Sequence, residues 1–189
     1  HLTLPLISFS DKRIDSVELY PFKKLIKNNI ASIMTAHLNI PSLDEGIPST
    51  LSNKIITNLL KEELDFEGLI ITDALDMKGI VDFAKKDYPD VSAINAGNDV
   101  LLMPTDLEKS IKQIKKAISR KKVSYKRLEE SVKKILMAKY KVGLNELKPI
   151  KKTNIINEMN EEVDFALMDK IASESITLVK NKNQTLPFK

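Results

Sequence analysis

The stretch Gly68-Leu-Ile-Ile-Thr-Asp73-Ala-Leu-Asp-Met77 decides the fold of this chain. It begins as a short apolar run with the length of a buried strand, and it turns acidic at Asp73. Such a run is typical of a strand in a parallel sheet that is covered on both faces. Parallel α/β folds place their functional residues at the carboxyl ends of the strands, so Asp73 is a candidate for chemistry.

Two further runs, residues 31–37 and 99–103, have the same character and lie on either side of the first one along the chain. Around them, apolar residues recur every three or four positions, which is the pattern of amphipathic helices. This alternation predicts repeated βα units with a parallel sheet. The predicted helices cover residues 16–28, 52–63, 88–96, 107–119 and 124–141, with Ser124 as an N-cap and Gly143 as a stop.

The length of 189 residues limits how much of an α/β domain the chain can hold. Three or four βα units fit into it, whereas a complete eightfold barrel needs about 250 residues. We therefore expect the carboxyl-terminal half of a (β/α)8 barrel, with a doubly wound open sheet as the alternative. The expected division is barrel over 1–146, linker and helix over 147–174, and the start of a second α/β domain, with a strand at 175–179, over 175–189.

Composition excludes several classes of protein. Thirty basic and 26 acidic side chains are mixed along the chain, and only three are arginines, which argues against a nucleic-acid-binding protein. The absence of cysteine excludes disulfides and thiolate metal ligands. No apolar run is long enough to cross a bilayer.

From residue type alone, the candidate site residues keep more than one interpretation. Asp73 is either a cap for the following helix or a catalytic group. His37, at the end of a predicted strand, is a ligand, a proton carrier or a packed, hydrogen-bonded residue. Asp76 fits helix-start electrostatics, and Asn98 and Asp99 begin a strand, so they belong to the opposite, structural face.

Several segments together resemble one enzyme family. The stretch from Gly68 to Met77, preceded by Leu-Lys-Glu-Glu-Leu-Asp-Phe-Glu, closely resembles the nucleophile segment of glycoside hydrolase family 3, in its β-N-acetylhexosaminidase branch. Other segments resemble further parts of that branch in the same order. They are residues 1–6 (the end of its Asp-Ser-His loop), 33–41 (its next barrel strand), 95–104 (its final strand), 127–136 (its closing helix) and 175–181 (the entry to a second domain).

The resemblance implies roles for four residues. Asp73 matches the aspartate that attacks the anomeric carbon and forms a glycosyl-enzyme intermediate, which is the retaining route. His1 matches a loop histidine that serves as general acid/base, and its imidazole titrates in the range that this role requires. His37 is expected to shape the site or bind substrate, and Met77 to touch substrate. No metal or cofactor is implied.

The function that the resemblance implies is removal of terminal β-linked N-acetylglucosamine from peptidoglycan fragments or chito-oligosaccharides. A β-glucosidase, a phosphorylase and a non-catalytic fragment or binding module are the alternatives. The expected partner is a carbohydrate, with no nucleic acid. We also expect the chain to be an internal piece of a longer protein. The upstream half of its barrel, including the aspartate paired with His1, is then expected to be absent from these 189 residues.

Overall fold

The computed structural model describes residues 3–84, 88–146, 148–149, 152–159, 162–182 and 186. The chain divides into two compact units, His1–Asn145 and Glu146–Lys189. The predicted division at residues 147 and 175 into a linker and a second domain stays a prediction. The first unit contains both strands and the candidate site.

The sheet of the first unit is parallel, as the alternation of strand and helix predicts. Strand β1 (Ser32–Thr35) pairs with β2 (Leu69–Thr72), and Met34 stands opposite Ile71. On the other edge of β2, Val100 forms an isolated parallel bridge with Ile71. The order is therefore β1, β2 and then the segment at Val100, which is the chain order that consecutive βα units produce.

The prediction of a full third strand over residues 99–103 is wrong. The segment follows β2 only as far as Val100, whose backbone amide donates to the carbonyl of Ile70. Beyond it, the amide of Leu102 donates to the side-chain hydroxyl of Thr72 at 2.9 Å. A side chain has replaced the backbone partner, so the ladder does not continue.

The prediction that the strands are covered on both faces is wrong for β1, whereas β2 has no exposed residue. Ile33 and Ile70 are buried in a cluster with residues of the following helix and loop, whereas Met34 is 55% exposed. Successive side chains of a strand point to opposite faces. The difference arises because, in the described part of the first unit, the apolar cluster packs against one face of the sheet. The members of that cluster are Ile33, Ile56, Leu60, Phe66, Ile70 and Ala96.

The longer helical elements follow the predicted positions, and short ones at residues 11–13, 49–51, 78–83 and 155–158 are additions. Helix α3 (Lys78–Phe83) is not predicted, because six residues are too few to show a helical period. The complete series is α1 (Asp11–Arg13), a π-helical segment (Ile14–Glu18), α2 (Tyr20–Lys27), a 3-10 turn (Ser49–Leu51), a second π-helical segment (Lys54–Glu63), α3, α4 (Pro89–Ala96), α5 (Leu107–Ser119), α6 (Tyr125–Lys141), α7 (Ile155–Glu158) and α8 (Glu162–Ser175).

Both ends of α6 have the predicted signals. The hydroxyl of Ser124 accepts a hydrogen bond from the backbone amide of Arg127 at 3.1 Å, as an N-cap does. Gly143 lies just beyond the last helical turn with φ of +78°, a left-handed conformation that glycine adopts without steric cost.

The predicted strand at residues 175–179 is not formed. Helix α8 includes Ser175, and the residues after it have no strand partner in the described part of the second unit. Ile176 and Val179 are exposed. A single apolar segment needs neighbouring strands to bury its faces, and the described residues of this unit provide only helices.

Candidate active site

Asp73 lies at the carboxyl end of β2, where sequence reasoning places a functional carboxylate. Its backbone amide donates to the carbonyl of Thr35 at 2.8 Å, so the ends of the two strands are joined at this point. Its carboxylate oxygen Oδ1 accepts from the amide of Ala74, also at 2.8 Å. By strand alternation Asp73 follows Ile71 on the less covered face of the sheet, and its side chain is partly exposed.

His37 follows the end of β1 and is tied to the residue next to Asp73. Its side chain is only 4% exposed. Nδ1 lies 2.8 Å from the hydroxyl of Thr50, and Nε2 lies 3.0 Å from the carbonyl oxygen of Ala74. A carbonyl oxygen can only accept, so Nε2 carries the proton and donates.

Three of the four residues to which the resemblance assigns roles line one small cavity. Asp73, His37 and Met77 share a cavity of about 90 Å3 with the chain segment that starts at Thr3. The fourth residue, His1, lies outside the described residues. The remaining walls of the cavity come from Leu4, Pro5, Ala36, Leu38, Gly79 and Ile80.

Sequence reasoning missed two residues that shape this cavity. A Cβ atom at Gly79 would lie 2.9 Å from the carbonyl carbon of Thr3, so the glycine lets the first described segment approach α3 closely. Thr50 is fully buried and bonds with His37. The glycine two residues after Met77 is visible in the sequence as a signal, whereas nothing in the sequence connects Thr50 to a histidine 13 residues earlier.

The amino end of the sheet holds a different kind of carboxylate. The side chain of Asp99 is fully buried, and its Oδ1 lies 2.6 Å from the guanidinium of Arg127 and 2.7 Å from the hydroxyl of Ser131. Oδ2 accepts from the amide of Ile70 at 3.1 Å and lies 3.8 Å from Lys134 Nζ. These contacts fit the structural role that its position predicts.

The pKa of Asp99 reflects two opposing effects. Burial disfavours the charged carboxylate and would by itself raise the pKa, but hydrogen bonds from Arg127, Ser131 and the amide of Ile70 outweigh burial. They hold the pKa of Asp99 below its ordinary value. Lys61 lies in the same charged region, and burial, together with the charge of Arg127, lowers its pKa to about 8.

The side chain of Asn98 joins three segments of the first unit. It is buried, and its Nδ2 donates to the backbone carbonyls of Thr50 and Ala93 at 2.8 Å each. Its Oδ1 accepts from the hydroxyl of Thr35 at 3.1 Å. The side chain therefore holds the end of β1, the segment that contains Thr50 and the end of α4 in one arrangement.

Other kinds of site find little support in the part of the chain that the structure describes. There, no group of three His, Cys, Asp or Glu side chains is arranged to hold a metal ion. Among the same described residues, no helix is both long enough and apolar enough to cross a membrane. A groove of about 800 Å3 along α6 is open and apolar, and polar groups do not converge on it as they do at a ligand site.

Comparison with known proteins gives the family. Residues 1–138 match the model of the glycosyl hydrolase family 3 N-terminal domain. The chain belongs to glycosyl hydrolase family 3. Beta-hexosaminidase A of Pseudoalteromonas piscicida is 32% identical over 163 residues, which cover 75% of this chain and 27% of that protein. The chain thus spans about a quarter of the length of this relative.

Similar solved structures support the same fold. A family 3 beta-N-acetylglucosaminidase from Paenibacillus sp. str. FPU-7 superposes with a TM-score of 0.87 at 27% identity, over 95% of this chain and 35% of that one. Beta-glucoside phosphorylase BglX superposes with a TM-score of 0.89 at 28% identity, over 99% of this chain and 36% of that one. The expected α/β fold, as part of a TIM-type barrel domain, is confirmed.

Proposed function

We propose that the whole protein is a retaining β-N-acetylhexosaminidase that removes terminal β-linked N-acetylglucosamine from peptidoglycan fragments or chito-oligosaccharides. The observation that carries this proposal is the position of Asp73. Its carboxylate lies at the carboxyl ends of two parallel strands and lines a cavity with His37 and Met77. The hexosaminidase and acetylglucosaminidase names among the family relatives support the choice of sugar.

The proposed reaction has two displacements. In the first, a carboxylate oxygen of Asp73 bonds to the anomeric carbon while the bond to the leaving oxygen breaks, and that oxygen takes a proton from His1. In the second, His1 takes a proton from water, whose oxygen bonds to the anomeric carbon and releases Asp73. No cofactor takes part, and both residues return to their starting protonation states.

The environment of Asp73 supports a nucleophilic role. Its Oδ1 is held by the uncharged amide of Ala74, so Oδ2 is the oxygen that we expect to attack. An amide fixes the orientation of the carboxylate without the full charge neutralisation that a guanidinium provides. A carboxylate held in this way keeps its negative charge available for the anomeric carbon.

The cavity supports completion of the site by the rest of a barrel. At about 90 Å3 it is smaller than the sites of roughly 300–1,000 Å3 that hold small ligands. The chain spans 27–36% of the length of the three relatives described above. Helix α6 also exposes a row of apolar side chains, including Leu136 and Tyr140. We propose that the remaining barrel strands supply the missing walls and cover this row.

A second candidate is glycosyl transfer to phosphate, or hydrolysis of a β-glucoside. It is favoured by the similarity to a beta-glucoside phosphorylase over nearly the whole chain. The chemistry at Asp73 is the same in each case, because sugar and acceptor are chosen by other groups. A non-catalytic binding module is the remaining alternative from a different class.

A substrate panel tests the proposal. The whole protein is incubated with the 4-nitrophenyl β-glycosides of N-acetylglucosamine, glucose and xylose, each with and without inorganic phosphate. We expect the N-acetylglucosaminide to be cleaved at least about tenfold faster than the others, with free sugar as product. Faster cleavage of the glucoside, or a sugar phosphate as product, would contradict the proposal. Cleavage of none would favour the binding module.

The role of His1 is tested by the dependence on the leaving group. In the whole protein, His1→Ala should slow cleavage of a natural disaccharide far more than cleavage of the nitrophenyl glycoside, because nitrophenolate needs little protonation. The ratio of the two rates in the variant and in the parent is the measurement. Equal losses on both substrates would show that another group donates the proton.

A further inference from the structure

We infer that His37 is a positioning residue, which holds the carbonyl of Ala74 and thereby orients the carboxylate of Asp73. This inference rests on the proposed role of Asp73, and it assigns to His37 a task other than contact with substrate. The observation that carries it is a closed ring of hydrogen bonds, which passes through both residues and through the ends of both strands.

The ring starts and ends at Asp73. Its amide donates to the carbonyl of Thr35, and the hydroxyl of Thr35 donates to Asn98. Asn98 donates to the carbonyl of Thr50, whose hydroxyl bonds with His37. His37 donates to the carbonyl of Ala74, whose amide donates to the carboxylate of Asp73.

Hydrogen-bond counting places a proton on Nε2 of the His37 imidazole. The carbonyl of Ala36 is approached by the hydroxyls of both Ser49 and Thr50. The hydroxyl of Thr50 lies 2.9 Å from that carbonyl and 2.8 Å from Nδ1 of His37, and its single proton serves one of the two. The carbonyl of Ala74 can only accept, so Nε2 carries a proton with either orientation of that hydroxyl, and this proton is assigned from the partners.

Ala74 is the link between His37 and the nucleophile. Its amide is held by Asp73 Oδ1, and its carbonyl accepts from both His37 Nε2 and the amide of Met77. Loss of the His37 bond leaves that carbonyl with the longer bond, 3.3 Å, to Met77. The peptide is then freer to rotate, and rotation moves the amide that orients the carboxylate.

Burial argues against the two other tasks that the sequence leaves open for His37. His37 is 4% exposed, and both nitrogens of its imidazole are hydrogen-bonded within the protein. A sugar hydroxyl or a leaving oxygen would have to displace Thr50 or Ala74 before it reached a nitrogen. Orientation of the Asp73 loop requires no such displacement.

The first test uses this chain and needs no substrate. Amide hydrogen exchange is measured at residues 73–77 in the parent and in His37→Phe, His37→Gln and Thr50→Val. His37→Phe removes the donor, and we expect exchange at these residues to become at least about tenfold faster. His37→Gln keeps an N–H that reaches the same carbonyl, so exchange should return to within about threefold of the parent rate. Thr50→Val should give an intermediate rate, and it replaces His37→Phe if that variant does not fold.

A matched control separates a local effect from general destabilisation. Ser131→Ala removes a buried hydroxyl that bonds with Asp99 at the amino end of the sheet. Its exchange at residues 73–77 should equal that of the parent. Unchanged exchange in both His37→Phe and Thr50→Val would overturn the inference, as would an equal increase in Ser131→Ala.

The second test is kinetic and uses the whole protein with whichever nitrophenyl glycoside it cleaves fastest. We expect kcat of His37→Phe to fall about 100-fold with little change in KM, because small displacements of a reacting group cost about this factor. The loss should be equal for nitrophenyl and natural leaving groups, and His37→Gln should restore most of it. A rise in KM alone would show substrate binding, and a loss confined to natural substrates would show proton donation. Either result would overturn the inference.

A whole protein that cleaves no glycoside would overturn the proposed function instead. The exchange experiment would still decide whether His37 holds residues 73–77 in place.

Discussion

The two ends of the sheet each hold one carboxylate, and the two are treated in opposite ways. The side chain of Asp99, at the amino end, is fully buried and is held by the guanidinium of Arg127, the hydroxyl of Ser131 and a backbone amide. Asp73, at the carboxyl end, is partly exposed and accepts from the amide of Ala74. One carboxylate is neutralised by its surroundings, and the other is only oriented.

This difference shows how the same side chain serves stability at one place and chemistry at another. A carboxylate whose lone pairs are taken by a guanidinium and a hydroxyl is a poor nucleophile but holds elements together. A carboxylate oriented by a neutral amide beside a cavity keeps an oxygen for a substrate. The comparison therefore predicts that changes at the two ends separate activity from stability.

The largest expected effect is on activity, at the carboxyl end. In the whole protein, Asp73→Asn should lower kcat/KM for the nitrophenyl glycoside by at least about 1,000-fold, because an amide does not form the glycosyl ester. The midpoint of unfolding should change little. Asp99→Asn is the matched control, and in whatever fraction remains folded its kcat should be close to that of the parent. If Asp73→Asn kept its activity, the carboxyl end of the sheet would not be the end that determines activity.

The second effect is on stability, at the amino end. Asp99→Asn should lower the free energy of unfolding of this chain by about 3 kcal/mol, because the charges of Arg127 and Lys134 lose their buried partner. Urea unfolding followed by circular dichroism measures the loss. A loss of the same size in Asp73→Asn would remove the contrast between the two carboxylates.

The contribution of Asp99 should also depend on pH. Its pKa is below the ordinary value in the folded chain, so its stabilising effect is complete above the unfolded value of about 3.9. This stabilising effect is lost as the pH falls through the lower pKa that Asp99 has in the folded chain. The difference in unfolding free energy between parent and Asp99→Asn should therefore stay constant from pH 7 to 5 and shrink below pH 4. A difference that grew on acidification would have the wrong sign.

The smallest expected effect is on the pH dependence of stability and concerns Lys61. Burial and the nearby charge of Arg127 disfavour the charged form of this side chain. Its pKa is about 8 in the folded chain, so between pH 8 and its unfolded value of about 10.5 the unfolded chain binds more protons and stability rises with pH. Lys61→Met should remove this rise. It should also stabilise the chain at pH 7 by about 1 kcal/mol after allowance for solvent screening. Lys116, on the exposed side of α5, provides the control substitution Lys116→Met, which should leave the rise in place.

Much of this architecture follows from local patterns in the sequence. The apolar run that ends at Asp73 indicates a strand with a functional carboxyl end, and the periodicity of residues 124–141 indicates α6 together with its cap at Ser124. These signals are local. A strand is recognised from a few consecutive residues, and an N-cap from a side chain three positions before the amide that donates to it. Asp73, His37 and Met77 also come to one cavity as the predicted βα order requires.

The parts that sequence reasoning missed depend on partners that are distant along the chain. The third run ends at Val100 because the hydroxyl of Thr72 takes the next amide, which no periodicity shows. The expected strand near Ile176 does not form because no neighbouring strand is present among the described residues of that unit. The bond between Thr50 and His37 likewise depends on how a loop folds back, and the sequence contains no signal for it.

The most direct test of the central claim is to identify the residue that becomes glycosylated. The whole protein is incubated with a fluorinated N-acetylglucosaminide whose covalent intermediate is hydrolysed slowly, and the digested protein is analysed by mass spectrometry. We predict one added sugar on the peptide that contains Asp73, and none on that peptide in Asp73→Asn. A sugar attached to a different residue, or substrate turnover without any covalent adduct, would contradict the assignment of Asp73 as the nucleophile.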